Sequence, residues 1–462
     1  MTKNKIYGII EISAWAVFHG IIIDMKKLNT SPISGMQELT PARQAIFNQI
    51  KNQIAEVYRL HGFQNIETPT IDRAEILLAK AGGDTEKQIY KVVKTAETAD
   101  DADQALRFDH TVPLARYVVE HENDLSFPFK VSQIGRNFRG ERAQKGRFRE
   151  FYQLDVDVVG RGQLPIAYDA EVIATAYAAL KTFVKPQMKL RISNRKILTG
   201  LLDELGLSDK SEQIFGIIDH ADKWSISQTE QALHELGISE AQYGRICTFM
   251  SIKGSRQEAI QNLQDMAVKD TTFQEGVAEL EQVLKLLELQ GLEDAIIADM
   301  LIVRGLDYYT GTVVETFLPE YKEIGSICSG GRYDNLAGHY TEQQLPGVGL
   351  SIGLTRLFYV LNEHNLLDTV TAAPIDIAIV PISEQEYQFC FNLAKDLRAH
   401  GKITDVILTD KKLGDKLSYV AKIAKNVIVI GENEVTSSNL TVKNLETGEL
   451  QGLDEYLVTP TL

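Results

Sequence analysis

Between Ile134 and Gly160 the chain holds Arg136, Arg139, Arg142, Lys145, Arg147 and Arg149, although its formal net charge is −15. The segment that follows these cations, "FYQLDVDVVG", alternates. Phe151, Gln153, Asp155 and Asp157 fall on one side of a strand, and Tyr152, Leu154, Val156 and Val158 fall on the other. A cationic loop beside a row of acceptors suits a substrate with two unlike ends, one phosphorylated and one cationic or rich in donors. The charge pattern alone is equally that of a solvated hairpin tip. Two further stretches carry the same ambiguity. "RGLDYYTGTVVE" sets Arg304, Asp307, Tyr308 and Tyr309 beside two glycines, and reads either as a buried aromatic strand or as a turn whose guanidinium needs an anion. "GVGLSIGLTRLF" puts Arg356 in the first turn of a helix, after glycines that let backbone approach a ligand. Helix N-termini favour anions, so this is either a triphosphate seat or a tight strand-to-helix junction with a surface arginine.

These residues need elements to position them. After Met25, Ile46, Ile50, Ile54 and Val57 form the stripe of an amphipathic helix that Gly62 stops, and "ETPTID" reads as a strand with Pro69 at an edge or boundary. From Phe129 to Gly160 the pattern is strand, charged loop, strand; an alanine-rich helix and the strand "MKLRISN" follow. From about 197 to 300 the periodicity is helical with no convincing strand, and Phe273, Val277, Leu280, Leu284 and Leu287 make one stripe. Strand texture returns with "LIVRGLDYYTGTVVETF". From Pro374 the chain alternates strand and helix, which indicates a small parallel or mixed sheet flanked by helices. In that last unit Lys411, Lys412, Lys416, Lys422 and Lys425 cluster as a candidate patch for a polyanion such as RNA.

A chain of 462 residues suggests roughly two to four domains. Cys247, Cys328 and Cys390 are too scattered for a zinc site or a disulfide framework, so a reducing cytoplasm fits. The acidic balance disfavours nonspecific polyanion binding, and any nucleic-acid contact must be local. There is no Walker-type GxxxxGK[ST] loop. The opening "IYGIIEISAWAVFHGIIIDM" is broken by Glu11, His19 and Asp24 and falls short of the ~20 residues of a spanning helix. It reads as a weak signal or anchor, as a packed extension, or as translation from upstream of an initiator at Met25.

Together these segments resemble the class II aminoacyl-tRNA synthetases and, among them, the histidyl-tRNA synthetase family, from about Ser31 to the C-terminus. "FRGERAQKGRFREFYQ" is similar to motif 2, "GVGLSIGLTRL" to motif 3 and "ETPTID" to motif 1; "VRGLDYYTGTVVE" and "CSGGRYDNL" resemble the two histidine-specific signatures. The resemblance implies an α+β chain. A catalytic domain of antiparallel sheet and flanking helices would span 26–196 and 299–368, with a helical insertion at 197–298. A C-terminal α/β anticodon-binding domain would span 374–462. Residues 1–25 have no counterpart in the family pattern. It further implies that Arg139 holds the ATP α-phosphate, Arg356 the γ-phosphate, and Arg304 the α-phosphate from the opposite side as the catalytic cation. Asp109, Thr111 and Gln153 would receive the amino group of L-histidine, and Asp157, Tyr309 and Tyr333 its imidazole. Arg142, Gln144, Lys145 and Arg147 would meet the acceptor end of tRNA(His). Mg2+ would arrive with ATP rather than in a cage of protein ligands, and the protein would be a homodimer through motif 1 with no stable membrane association. His110 departs from the pattern, standing where small or aliphatic residues are common.

Two rivals share parts of this pattern. The regulatory subunit of ATP phosphoribosyltransferase shares the catalytic fold but typically lacks the C-terminal domain and degrades the histidine signatures, whereas this chain keeps both. A prolyl or threonyl synthetase would share the C-terminal domain type. The amino acid that supports ATP–pyrophosphate exchange separates all three.

Overall fold

In the computed structural model, residues 28–78, 86–96, 98, 102–144, 146–184, 187–221, 224–303, 308–367, 375–437 and 439–458 are described. Among the described residues, twelve strands precede the C-terminal unit. They are β1 (Gln64–Ile66), β2 (Ile71–Arg73), β3 (Lys91–Val92), β4 (Gln104–Leu106), β5 (Phe129–Phe138), β6 (Glu150–Val159), β7 (Lys189–Asn194), β8 (Lys253–Gly254), β9 (Ile296–Asp299), β10 (Thr312–Phe317), β11 (Cys328–Tyr333) and β12 (Gly347–Gly353). Nine of them form one sheet in the order β1-β5-β6-β12-β11-β10-β7-β9-β8, antiparallel except where β1 meets β5 and β7 meets β9. β2, β4 and β3 make a small separate sheet, and Pro69 sits in the link between β1 and β2, outside both strands.

Alternation decides what each face of the large sheet carries. Leu154, Val156 and Val158 of β6 and Val348, Leu350 and Ile352 of β12 point to the same side and are buried in one apolar core. Two helices close over them. Pro41–Leu60 contributes Phe47, Ile50, Ile54 and Tyr58, and Ala167–Lys181 contributes Val172, Ile173, Ala176 and Leu180. Burying each large aliphatic chain is worth roughly 1.5–3 kcal/mol, so this face anchors the sheet. The first helix is turned slightly from the expected stripe. Phe47 and Tyr58 take the buried positions, Ile46 and Val57 flank them, and the Tyr58 hydroxyl donates to the Leu154 carbonyl at 3.1 Å. Gly62 ends that helix with φ +81°, a left-handed conformation that favours glycine.

The stretch read as purely helical also contains β8 and β9, which pair along the sheet edge. β9 is only four residues long and its strand signal is weak in sequence; pairing with β7 supplies what local propensity does not. Three helices here start on capping boxes, Ser225 with Gln228, Ser239 with Gln242 and Ser255 with Glu258, each cap being worth about 1 kcal/mol. Leu198, Leu201, Phe273, Val277 and Leu280 bury into the main core rather than a separate one. Among the described residues, the next strand after it begins at Thr312.

The C-terminal unit has its own five-stranded mixed sheet, ordered β14-β13-β15-β16-β17, from β13 (Ile375–Pro381), β14 (Thr404–Val406), β15 (Ala424–Ile430), β16 (Thr441–Asn444) and β17 (Leu450–Gly452). β13 runs parallel to β14 and β15, and the last two strands are antiparallel. Ile377, Ile379, Leu397 and Ile428 pack on one face, and Ala378, Val380, Val420 and Val427 on the other. The lysine patch needs one correction. Lys416 is 4% exposed and donates to the Pro381 carbonyl at 2.9 Å, because its helix, Leu413–Val420, turns that side chain inward; Lys411, Lys412, Lys422 and Lys425 are exposed. Among the described residues no helix is long and apolar enough to cross a membrane. The opening segment and its three readings lie outside the described residues.

Candidate active site

The opposite face of the large sheet is polar. Gln133, Gly135 and Asn137 of β5 register against Asp155, Gln153 and Phe151 of β6, and Asp155, Asp157 and Gln153 register against Ser351, Gly349 and Gly353 of β12. This is the side expected to be mostly polar, but it is not open to water: Asp155 and Asp157 are each 3% exposed. The face forms the floor of a buried site.

At one end the acidic residues gather. Asp157 Oδ1 accepts from the Tyr333 hydroxyl at 2.8 Å, and Asp109 Oδ2 accepts from the Tyr308 hydroxyl at 3.3 Å. Tyr309 packs edge-on against Tyr308 with ring centroids 5.0 Å apart, and Thr111 opens the helix Thr111–Glu120 beside them. Burial pushes the Asp157 carboxyl well above the usual carboxylate range, Asp155 adds to the rise, and the Tyr333 hydroxyl opposes it. Asp109 is also raised by burial, opposed by the Val112 amide and by Arg139. Burial, with Asp109 or Asp157 nearby, holds Tyr308 and Tyr333 well above their ordinary value, so both remain neutral donors. Buried carboxylates with too little positive charge await a cationic, donor-bearing ligand.

Backbone room makes this cluster possible. A Cβ on Gly349 would lie 1.9 Å from Asp157 Oδ1, and one on Gly347 would lie 2.3 Å from the Tyr333 ring. Gly347 and Gly349 of "GVGLSIG" thus admit these two side chains, whereas a Cβ on Gly353 would meet nothing within 4 Å, and Gly353 lines the cavity at the other end of the site.

At the other end the cations gather around a cavity of about 250 Å³ lined by Arg139, Arg147, Phe151, Gln153, Ser351 and Arg356, among others. Arg139 follows β5 directly; its guanidinium lies 4.3 Å from the Phe108 ring and 5.1 Å from the Phe151 ring, which fix it over the floor. Arg356 stands in the first turn of the helix Leu354–Glu363 and donates to the Ser326 carbonyl at 3.2 Å. Burial, and then the nearby Arg147, press its pKa below the ordinary value, so a phosphate would relieve a real electrostatic cost. The hairpin tip closes through mutual backbone hydrogen bonds between Gln144 and Arg147, with Gly146 at φ +72°. Arg147 also pairs with Glu141 at 3.1 Å and lines the rim of the cavity; like Arg142 and Gln144 it is exposed. Arg304, Asp307 and Lys145 lie outside the described residues.

The structure thus brings Arg139, Arg356 and Gln153 to one cavity and Asp109, Asp157, Tyr309 and Tyr333 to the adjoining acidic cluster. Sequence reasoning missed Tyr308 as the partner of Asp109, and it missed Ser351 and Asn137 as the partners of Gln153 at 2.6 Å each. Ser351 was findable: it shares its face of β12 with Gly349 and Gly353. Asn137 was findable from the same two-residue alternation on β5.

A strand-to-helix arginine and a hairpin arginine facing each other over one antiparallel sheet define the catalytic core of class II aminoacyl-tRNA synthetases. The family model described as histidyl-tRNA synthetase matches residues 35–357, and that of the anticodon binding domain matches 376–455. A histidine–tRNA ligase of Clostridium tetani is 43% identical over 433 residues, covering 93% of this chain and 97% of that protein. One of Clostridium acetobutylicum is 44% identical over 431 residues, covering 93% and 98%. The crystal structure of histidyl-tRNA synthetase from a Nostoc species superimposes with a TM-score of 0.82 at 34% identity, covering 93% of this chain and 99% of that one. The chain belongs to the histidyl-tRNA synthetase family.

Proposed function

We propose that this protein activates L-histidine with ATP and transfers it to the 3′ end of tRNA(His), using the two adjoining clusters as one two-ended site. The observation that carries the reading is the contact between a buried acidic pocket and a cationic cavity on one sheet face. In this reading Asp109, Thr111 and Gln153 receive the amino group, and Asp157, Tyr309 and Tyr333 receive the imidazole. Buried acceptors of this kind reject apolar side chains that would leave them unpaired. The carboxylate of histidine is thereby aimed at the cavity. It attacks the α-phosphorus of ATP, an acyl–phosphate bond forms as the α–β phosphoanhydride bond breaks, and pyrophosphate leaves. The terminal adenosine hydroxyl of tRNA then attacks the carbonyl carbon and expels AMP.

Arg139 and Arg304 neutralise the charge that spreads over the α-phosphate oxygens, and Arg356 holds the γ-phosphate. Mg2+ is expected to come with the nucleotide. Such an ion would be held largely by the phosphate oxygens of ATP. Arg142, Gln144, Lys145 and Arg147 on the hairpin are the candidates for the tRNA acceptor end, and the C-terminal unit reads the anticodon. A homodimer built through the Pro69 segment and a cytoplasmic site of action complete the proposal. The test is charging of a tRNA(His) transcript with labelled histidine. Arg356→Ala should raise the KM for ATP at least tenfold with the KM for histidine nearly unchanged, since losing a charged hydrogen bond costs roughly 1.5–3 kcal/mol. An unchanged ATP KM removes Arg356 from the phosphate site.

A further inference from the structure

Between the acidic cluster and the cavity runs a chain of directed hydrogen bonds. His110 is 1% exposed, and its Nδ1 lies 3.0 Å from Asp155 Oδ2. Asp155 Oδ1 accepts from the Ser351 hydroxyl, Ser351 Oγ accepts from Gln153 Nε2 at 2.6 Å, and Gln153 Oε1 accepts from Asn137 Nδ2 at 2.6 Å. His110 is itself held from behind. Gln133 donates to its carbonyl at 3.1 Å and accepts from Thr68 at 3.0 Å, and the Thr68 carbonyl accepts from Arg107 at 2.7 Å.

The direction of each bond follows from donor and acceptor capacity. A carboxylate only accepts, so His110 Nδ1 must carry the ring proton and the Ser351 hydroxyl must point at Asp155. The Ser351 oxygen is then left to accept, and only the NH2 end of the Gln153 amide can meet it. Gln153 therefore turns its carbonyl oxygen away from Ser351. An amide free to flip would present either end to the cavity.

We infer that Asp155, held by His110, is a positioning residue that fixes which end of the Gln153 amide faces the substrate. The inference rests on the reading of Gln153 as a receiver of the amino group of histidine: an ammonium needs an acceptor, and a flipped amide would oppose it with two N–H groups. It also gives the buried His110 a role, since an aliphatic residue there could not hold Asp155.

Steady-state pyrophosphate exchange, with KM for histidine and for ATP measured separately, tests this. Gln153→Ala should raise the histidine KM. Asp155→Asn, which changes almost no volume but can donate to Ser351 and reverse the chain, should raise it roughly 10- to 100-fold with the ATP KM unchanged. Asp155→Asn should add nothing in the Gln153→Ala background, because it acts through that side chain. His110→Leu should reproduce the effect, and His110→Asn, whose amide can replace the Nδ1–H, should restore near-normal values. Thermal unfolding of each variant separates lost structure from lost positioning, and the near-isosteric Asp155→Asn decides the matter if His110→Leu does not fold. If Gln153→Ala leaves the histidine KM unchanged, the reading of Gln153 fails and the inference falls with it. If Gln153→Ala has its effect while Asp155→Asn has none, or has its full effect in the Gln153→Ala background, the inference alone is overturned.

Discussion

Gly349→Ala should disable histidine recognition by a steric route that leaves the nucleotide site standing. The added Cβ would lie 1.9 Å from Asp157 Oδ1, 2.5 Å from its Cγ and 3.1 Å from the Val156 carbonyl oxygen. Ordinary contact needs about 3.4 Å or more in a close-packed interior, so the carboxyl must move by more than ~1 Å, because the β6 backbone on its other side is locked in the sheet. That movement breaks the 2.8 Å bond from Tyr333. A buried hydrogen bond left unmade costs about 1–3 kcal/mol, and the contact to a donor-bearing ligand is worth a similar amount. A combined loss of ~3 kcal/mol corresponds to about 100-fold in kcat/KM for histidine. The assay is pyrophosphate exchange across a histidine titration, with the ATP KM as internal control and thermal unfolding as structural control. Overpacking should also lower the melting temperature, at a cost of about 1–3 kcal/mol. A variant that folds and keeps a normal histidine KM would refute the placement of Asp157 in the pocket.

Three further outcomes are expected, the one at Arg304 resting on the resemblance of its segment to the family signature. Asp157 has its folded pKa raised above its unfolded value, so the folded state holds the proton longer and stability falls as pH rises from the ordinary carboxylate range through the raised one. Asp157→Asn should remove part of that decline in apo-protein unfolding measured against pH, while histidine-dependent exchange is lost; an unaltered pH slope contradicts the burial argument. Arg304→Ala should cut single-turnover adenylate formation ~100- to 1000-fold with histidine binding retained, and Lys should rescue only in part for want of the planar fork. A destabilised variant with an unchanged adenylation rate would make that arginine structural. Lys416→Met should lower the unfolding temperature of the C-terminal unit by leaving the Pro381 carbonyl unpaired, whereas Lys411→Ala with Lys412→Ala should spare stability and reduce the salt dependence of tRNA binding. Equal stability losses in both variants would erase the distinction between buried and surface lysines.

The parts of this site that local rules encode were legible in the sequence. The two-residue alternation of "FYQLDVDVVG" assigned the faces of β6 correctly, and the strand-to-helix junction placed Arg356 in a first helical turn. Tertiary consequences were not legible. Alternation says that Asp155 and Asp157 share a face but cannot say that the face is buried, since that depends on β5, β11 and β12 and on loops far away in sequence. The glycines of β12 announced close approach without revealing that Asp157 and Tyr333 are what approach. β9, β16 and β17 are too short for a periodic signal and owe their existence to the neighbours they pair with. Lys416 looked like one more surface lysine because a cluster of like charges carries no mark of the one whose helix faces inward.

The most direct test of the account is ATP–pyrophosphate exchange measured with each of the twenty amino acids in turn. An acidic pocket closed by Asp157, Tyr333 and Asp109 beside a cationic nucleotide cavity predicts exchange with histidine and near-background rates with the others, proline and threonine included. Exchange supported by another amino acid, or by none, would contradict it.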